Sequence, residues 1–434
     1  MRITEKLVSS LWQSHLVTYP VADTGEWLHI IFPGRTSNGG GSDFKDAIIG
    51  VNGHIVSGEV EVHVKSSQWQ GHGHHQDPRY NNIVLHVVWQ RDNQVVTRLQ
   101  NGRVIPTICL EPLLTRLSEL LKSPTHTPVS CPMVDSNADR SRLAALLTRA
   151  GLIRFRAKTA AYRKDMNKVD AEQVLYLGIS RALGYAQNAG SFQKLAQKLP
   201  IAVLKQNLEP SFINQQALLL GHAGLLPSQR GRKVRDRTAF RLERLWKSSC
   251  IMETMTESDW CFLRVRPDNF PTRRIVALNC LLDRFGREGL VCAILRLVEK
   301  APESQGSRWL EDGLVVAEPG YWRNHCDFGV ISGRSSALIG YEKASAMIIN
   351  IVLPFTAALA NNNSDSKLKR KAIELYGAYP GRGDNELTRY MKQQLKLGPS
   401  VRLSAGQQQG LIHLFQAYCQ LRNCLDCPVA LSRG

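Results

Sequence analysis

Ionisable side chains capable of metal chemistry are concentrated in residues 40–90 of this chain. Four of them occupy every second position of one short run: Glu59, Glu61, His63 and Lys65. Because the side chains of a β-strand point alternately to its two faces, this spacing predicts that all four share one face of a strand. Such a face is either solvated or part of a functional site. The residues on both sides of the run favour a site.

A turn upstream is expected to bring a further acid to this strand. Asp43 follows glycines 39–41, whose conformational freedom lets the backbone carry a carboxylate close to a neighbouring strand. An acid from a turn, an acid on the next strand and a basic residue two positions later form the pattern of the PD-(D/E)XK nuclease core, which this segment resembles. The resemblance implies metal ligands at Asp43, Glu61 and Glu59, and catalytic residues at Asp43, Glu61, His63 and Lys65.

The sequence departs from the nuclease pattern at two positions. Ser42 stands in place of the proline before the first acid, and His63 stands where a lysine is common. Hard ions favour carboxylate oxygens and water, and phosphodiester hydrolysis uses them to polarise the phosphoryl group and to activate water. We therefore expect Mg²⁺ or Mn²⁺, with either His63 or Lys65 as the basic group.

A polar loop rich in metal ligands follows the strand, and a further histidine lies within the next apolar run. Together they supply the predicted site-lining residues His72, His74, Asp77, Tyr80 and His86. Imidazole and carboxylate groups also suit zinc, so a second interpretation assigns Zn²⁺ to His72, His74, His86 and Asp77. A third interpretation treats residues 72–75 as an exposed loop. The hard-metal nuclease site is preferred, and the alternatives stay open.

The charge of the chain predicts a polyanionic partner. Its 55 Lys and Arg residues exceed its 37 Asp and Glu residues, which gives a net charge of +18 at pH 7. A field of this sign attracts nucleic acid. A basic protein that is merely soluble has the same composition, so the charge indicates a partner and not a chemistry.

The composition is typical of a soluble globular protein, with 43% hydrophobic and 21% charged residues. The first six residues include an acid and no apolar signal segment, and we identify no run of about 18 apolar residues. Ten cysteines in such a chain are typical of reduced thiols or metal ligands. We expect a cytoplasmic protein with no membrane partner.

The order of the hydrophobic patterns predicts an α+β fold. Short β-branched or alternating runs fill the first part of the chain, whereas helical spacing dominates after residue 139. Strands followed by helices indicate segregated elements, here an N-terminal mixed sheet and then a mostly helical region. The predicted divisions are a nuclease-like domain at 1–122, a linker at 123–138, a basic helical domain at 139–300 and a C-terminal helical region at 301–434.

Two basic segments are candidates for nucleic-acid binding. On a helix, Arg230, Lys233, Arg237, Arg241 and Arg244 would form one basic stripe. A second segment carries two prolines, which predict a rigid loop, and four arginines able to hold phosphate: Arg264, Arg266, Arg273 and Arg274. A solvated helix face and a domain-packing loop are the alternative interpretations.

Three cysteines near the C-terminus have a spacing used by metal centres. Cys419, Cys424 and Cys427 form a Cys-x4-Cys-x2-Cys run. Zinc sites and iron–sulfur clusters use similar spacings and normally need a fourth ligand. Cys326, His325 or a cysteine of the first domain is a candidate for it. Redox-inert thiols are the alternative.

Segments along nearly the whole chain resemble the bacterial family catalogued as domain of unknown function 2851. The segments that carry the resemblance are residues 42–44, 58–63, 69–74, 77–82, 85–88, 183–188, 264–275, 352–355 and 424–428. The resemblance implies little about activity, because this family is named for lacking an assigned one.

The preferred interpretation is a metal-dependent nuclease whose basic helical domains hold nucleic acid. In it, Asp43 and Glu61 hold the ion, while His63 shuttles protons or steadies the scissile phosphate. Two alternatives stay open: a nucleic-acid-binding protein without catalysis, and a zinc hydrolase of another ester or amide that uses the histidine loop.

Overall fold

A computed structural model describes residues 3–431, apart from 15–16, 38–40, 53, 114–130, 132–133, 135–139, 186, 207–210, 234–235, 248–252, 264, 287, 318–319, 333–336, 399 and 422. Contacts divide the chain into two compact units. Unit 1 contains Met1–Ala150, Gly383–Arg402 and Gly410–Gly434, and unit 2 contains Gly151–Arg382 and Leu403–Gln409.

The strands precede most of the helices along the chain. The strands are β1 Leu28–Phe32, β2 Arg35–Thr36, β3 Phe44–Val51, β4 His54–Lys65, β5 Ile83–Gln90, β6 Thr107–Cys109, β7 His325–Asp327 and β8 Val330–Ile331. The helices up to residue 247 are α1 Glu5–Gln13, α2 Gln68–Gly71, α3 Arg140–Met166, α4 Ala171–Leu183, α5 Ala189–Lys198, α6 Ile201–Gln206, α7 Phe212–His222 and α8 Arg237–Lys247.

The remaining helices lie between residues 271 and 431. They are α9 Pro271–Gly286, α10 Leu290–Glu299, α11 Gly306–Leu314, α12 Tyr321–Asn324, α13 Tyr341–Met347, α14 Leu353–Asn362, α15 Ser366–Ala378, α16 Glu386–Gln394, α17 Ala405–Leu414 and α18 Pro428–Leu431. Short π-helical segments, Ile348–Val352 and Phe415–Cys419, continue α13 and α17. The predicted α+β class is confirmed.

The sheet of unit 1 is mixed, with the order β1-β3-β4-β5-β6 and β2 paired to β3. The first three main strands are antiparallel, whereas β4, β5 and β6 run parallel. Parallel neighbours cannot be joined by a tight hairpin, so the chain crosses over between β4 and β5. This crossover contains α2 and the turns His74–Gln76 and Pro78–Tyr80. It therefore carries the predicted histidine loop back to the sheet.

Apolar side chains on alternate positions build the core beneath the sheet. Val60 and Val62 of β4 are buried with Leu85 and Val87 of β5, and α1 packs against the same cluster. Because successive side chains of a strand alternate, this placement turns Glu61 and His63 to the opposite face. That face is also buried, so its ionisable groups require partners.

Unit 2 is a helical assembly around one large apolar core. Within it, the helical stretch Tyr341–Asn362 has the length and composition of a membrane span, but 78% of its most apolar window is buried in the protein. A helix in the core of a folded protein passes the same test of length and composition.

The boundaries of the two compact units differ from the domain boundaries predicted at residues 122, 138 and 300. Gly383–Arg402 and Gly410–Gly434 return to unit 1. Within that unit, Tyr390 of α16 donates a hydrogen bond to the carbonyl of Ile31, and Phe415 packs on Phe32. Most of the predicted linker lies outside the described residues.

Candidate metal centre

The turn before β3 and the strand β4 bring two acids together. The backbone N–H of Asp43 donates to Glu61 Oε2 at 3.1 Å, and the N–H of Val62 donates to Asp43 Oδ2 at 3.1 Å. Pairing of Phe44 with Val60 sets this register. Each carboxylate thus accepts a hydrogen bond from the backbone of the other segment.

Three imidazoles converge beside Glu61. One ring nitrogen from each of His63, His72 and His74 lies within 4.8 Å of the other two. His63 and His74 are buried, while His72 is exposed. Nε2 of His74 is buried and has no hydrogen-bond partner. The group therefore presents nitrogen lone pairs to a common point.

The spacing of these atoms fits a single transition ion. Ligands at about 2.0–2.1 Å from a tetrahedral ion lie about 3.3 Å apart. His63 Nε2 lies 3.2 Å from His72 Nδ1, and Glu61 Oε1 lies 3.4 Å from His74 Nε2 and 3.9 Å from His63 Nε2. Three nitrogens and one carboxylate oxygen are a donor set used for zinc and other borderline ions.

A buried chain of hydrogen bonds fixes the orientation of His63. Its Nδ1 lies 2.9 Å from His86 Nε2, and His86 Nδ1 lies 3.0 Å from Thr97 Oγ1. Thr97 Oγ1 in turn forms a 2.8 Å hydrogen bond with Thr107 Oγ1. If each ring donates along this chain, the lone pair of His63 Nε2 points to the other imidazoles. Metal-binding histidines usually have such outer partners.

Burial keeps these histidines neutral. Desolvation is the largest of the effects that lower the pKa of His63 to about 2. Repulsion from His86, His74 and His72 also lowers it. Desolvation likewise lowers the pKa of His74 to about 4 and that of His86 to about 3. Neutral imidazole is the form that binds metals. A neutral His63 at physiological pH favours a ligand role over the predicted proton shuttle.

Aromatic side chains of the crossover enclose one side of the centre. The Trp69 ring lies 5.4 Å from that of His74, and the Tyr80 ring lies 4.0 Å from it. Both aromatic residues are buried, and the Trp69 N–H donates to the carbonyl of Arg98. Tyr80 thus lines the site, as predicted.

Three predicted site residues have other partners. Glu59 accepts a hydrogen bond from the Ser42 hydroxyl at 2.7 Å and lies 3.9 Å from Lys45 Nζ. Asp77 caps the turn Pro78–Tyr80 and pairs with Arg79. Lys65 is exposed where β4 ends.

The zinc interpretation from the sequence needs correction in two of its four ligands. Both ring nitrogens of His86 face hydrogen-bond partners, and the Asp77 carboxylate is held by Arg79. His72 and His74 remain, and His63 joins them, while Glu61 Oε1 lies 3.4 Å from His74 Nε2. The strand alternation identified Glu61 and His63 on one face of β4, whereas no sequence signal placed His72 and His74 beside them or singled out Thr97.

The predicted basic residues divide into exposed and buried groups. Arg237, Arg241 and Arg244 are exposed on α8, whose opposite face buries Ala239, Leu242 and Trp246. Arg266 is exposed, and Arg264 lies outside the described residues.

The prediction that Arg273 and Arg274 bind nucleic acid is wrong. Both are buried in α9, and their guanidinium groups donate to the backbone carbonyls of Trp322 and Leu338 respectively. A rigid loop was predicted here, but a helix begins at Pro271, because proline is well suited to the first position of a helix.

Arg230 also departs from the predicted basic stripe. Its side chain is buried and paired with Asp327 and Glu257. Within unit 2, its guanidinium group thus neutralises acids instead of facing solvent.

Cys326 belongs to unit 2, and its thiol donates to the Val330 carbonyl. Cys419, Cys424 and Cys427 all belong to unit 1.

This is an α+β protein. Its mixed sheet carries a cluster of histidines and carboxylates, and a mostly helical region follows the sheet in the chain. The chain belongs to the family described as "Protein of unknown function (DUF2851)", which it matches over residues 5–385. No curated protein and no solved structure matched the chain.

Replacement of His72 by alanine is expected to weaken divalent-ion binding by at least about 100-fold. Changes of outer partners alone typically weaken metal affinity 10–100-fold, and His72 is one of the three imidazoles that would contact the ion directly. Because His72 is exposed, its loss should leave the fold intact. Competition with a chromophoric chelator measures the affinity.

His75→Ala is the matched control, since His75 lies in the same crossover between β4 and β5 but outside the imidazole group. Equal affinities of the His72→Ala and His75→Ala variants would contradict the assignment.

Proposed function

We propose that this protein is a divalent-metal-dependent nuclease that hydrolyses phosphodiester bonds of nucleic acid. The observation that carries the proposal is the convergence of His63, His72 and His74 beside Glu61, which Asp43 holds in position. Burial of ionisable groups costs desolvation free energy, and clusters of such groups are concentrated at binding and catalytic sites.

The donor set favours a transition ion over magnesium. Mg²⁺ is usually held by carboxylates and water, whereas imidazole suits zinc and related ions. Of the ions expected from the sequence, Mn²⁺ and Zn²⁺ are retained. Glu61, His63, His72 and His74 are the proposed ligands.

When bound, such an ion would polarise the phosphoryl group and lower the pKa of an attacking water. The residues of the chain hold the site in the required form. Asp43 orients Glu61, while His86 and Thr97 orient His63. Exposure of His72 leaves one side of the centre open to substrate. Catalytic zinc sites keep one coordination position for water, and four protein ligands would provide it by expansion to five-coordinate geometry.

Basic charge supports nucleic acid as the substrate. The net charge is +18, and α8 presents Arg237, Arg241 and Arg244 on one exposed face. Such a face adds salt-dependent affinity that is independent of base sequence. It gives no preference between DNA and RNA.

The experiment is cleavage of labelled single- and double-stranded DNA and RNA with Mn²⁺, Zn²⁺ or Mg²⁺, and with EDTA. Cleavage that EDTA abolishes and Mn²⁺ or Zn²⁺ restores is the expected result. A metal-loaded protein that cuts none of the substrates would overturn the proposal.

One observation favours a second candidate, a nucleic-acid-binding protein without catalysis. Glu61, His63 and His74 are all buried, which is also typical of structural metal sites. Tight, salt-sensitive binding without cleavage would support this alternative. Cleavage of another ester or amide by the zinc-loaded protein would support the zinc hydrolase.

A further inference from the structure

The C-terminal cysteines lie on a sharply turning segment of unit 1. Cys419 ends the π-helical segment Phe415–Cys419, and Cys427 immediately precedes α18. Between them, the N–H of Asn423 donates to Tyr418, and that of Cys427 donates to the carbonyl of Cys424. These turns keep the three cysteines within one short, folded segment.

A fourth cysteine reaches the same segment from far upstream. The N–H of Cys131 donates to the carbonyl of Gln394 at 3.0 Å, where α16 ends. The same helix carries Tyr390, whose ring contacts that of Phe415 at 5.9 Å. Helix α16 and the residue that ends it therefore contact both the backbone of Cys131 and the segment that leads into Cys419.

The four thiols also interact electrostatically, in addition to the packing of α16 against both segments. Burial is the largest of the effects that raise the pKa of the Cys419 thiol to about 12. The charges of Cys427, Cys131 and Cys424 in their thiolate forms also raise it. Burial also raises the pKa of Cys427, and Cys131 and Cys424 add to the rise. Raised pKa values keep these thiols protonated, and a bound metal would take the place of the protons.

We propose that Cys131, Cys419, Cys424 and Cys427 bind one iron–sulfur cluster. The Cys-x4-Cys-x2-Cys run with one distant cysteine is a spacing used by such clusters. Zinc sites of four cysteines more often use two closely spaced pairs. Cys131 belongs to the same compact unit as the other three cysteines and is the proposed fourth ligand.

The cluster would link the two ends of unit 1. Cys131 follows the sheet in the chain, whereas the other three ligands belong to the C-terminal segment Gly410–Gly434. A covalent crosslink between such distant segments restricts the unfolded chain and so stabilises the unit. This proposal is independent of the nuclease assignment.

The test is to purify the full-length protein without oxygen and to measure iron and acid-labile sulfide per chain, together with visible absorption. Native protein should contain both elements and absorb as iron–sulfur proteins do. Cys131→Ser and Cys424→Ser should lose most of the iron, the sulfide and the absorption. Cys424 is exposed, so its replacement alone should not disturb packing, and circular dichroism checks the fold.

Two matched controls separate this centre from others. Cys326→Ser should keep the iron and sulfide of the native protein, which tests the choice of the fourth ligand. His72→Ala should also keep both, because inorganic sulfide is specific to the cysteine centre. Full iron and sulfide in Cys131→Ser would overturn the proposal. Zinc without sulfide in the native protein would overturn it as well, as would no metal after reconstitution with iron and sulfide.

Discussion

Glu61→Gln should lower the rate of divalent-dependent cleavage by about 10³-fold, since a bound ion contributes several kcal/mol to transition-state stabilisation. The amide has nearly the same shape as the carboxylate and can still accept the hydrogen bond from the Asp43 N–H. It lacks the negative charge that holds the ion next to His74. Single-turnover cleavage of a labelled oligonucleotide, with circular dichroism on the same samples, measures the effect.

Glu59→Gln is the matched control for this variant. Glu59 lies two positions away on the same strand, but its carboxylate is engaged by Ser42 and Lys45. We expect cleavage within about threefold of the native rate, because a hydrogen bond between neutral groups replaces one to a carboxylate. If both glutamine variants cleave at the same rate, Glu61 does not hold the ion.

Binding assays on the Glu61→Gln protein separate the two candidate functions. A nuclease that has lost its ion should still bind nucleic acid through its exposed arginines, with unchanged salt dependence. A native protein without any cleavage, matched by a Glu61→Gln protein with identical binding, would favour the non-catalytic candidate.

Asp327→Ala is expected to lower the free energy of unfolding by about 3–5 kcal/mol, which is the cost of breaking a buried ion pair. Arg230 and Asp327 expose only 1% and 2% of their side chains, and their closest atoms are 2.7 Å apart. Removal of the carboxylate leaves the guanidinium group buried with fewer partners. Urea-induced unfolding followed by tryptophan fluorescence measures the change.

Glu257→Ala provides the comparison, because Glu257 pairs with the same arginine but is 39% exposed. Its removal should cost about 1 kcal/mol or less, since solvent screens an exposed pair. Similar losses in the two variants would show that burial of the Arg230 pair does not determine stability.

The period-2 spacing of residues 59–65 identified both the strand and the face that carries its ionisable groups. That result follows from strand geometry alone, because alternate side chains must share a face. The glycine-preceded Asp43 next to Glu61 was equally predictable, since turn chemistry and register are local. The α+β order followed from the change of hydrophobic period.

Long-range packing set the features that the sequence analysis missed. The prolines near Arg273 predicted a loop, yet Pro271 starts a buried helix, because tertiary contacts decide whether proline begins or breaks one. Burial likewise turned Arg230 and Arg274 into structural groups. Their charge is visible in the sequence, whereas their partners Asp327 and Leu338 are distant along the chain.

The sequence by itself determined which residue types are available for metal chemistry, and the strand on which two of them lie. Only the tertiary structure decided how they combine. The crossover between parallel strands carries His72 and His74 back to Glu61 and His63, and α16 joins the segments of Cys131 and Cys419. The physical reason is that a metal site needs atoms within a few ångströms, whereas sequence patterns constrain only neighbours along the chain.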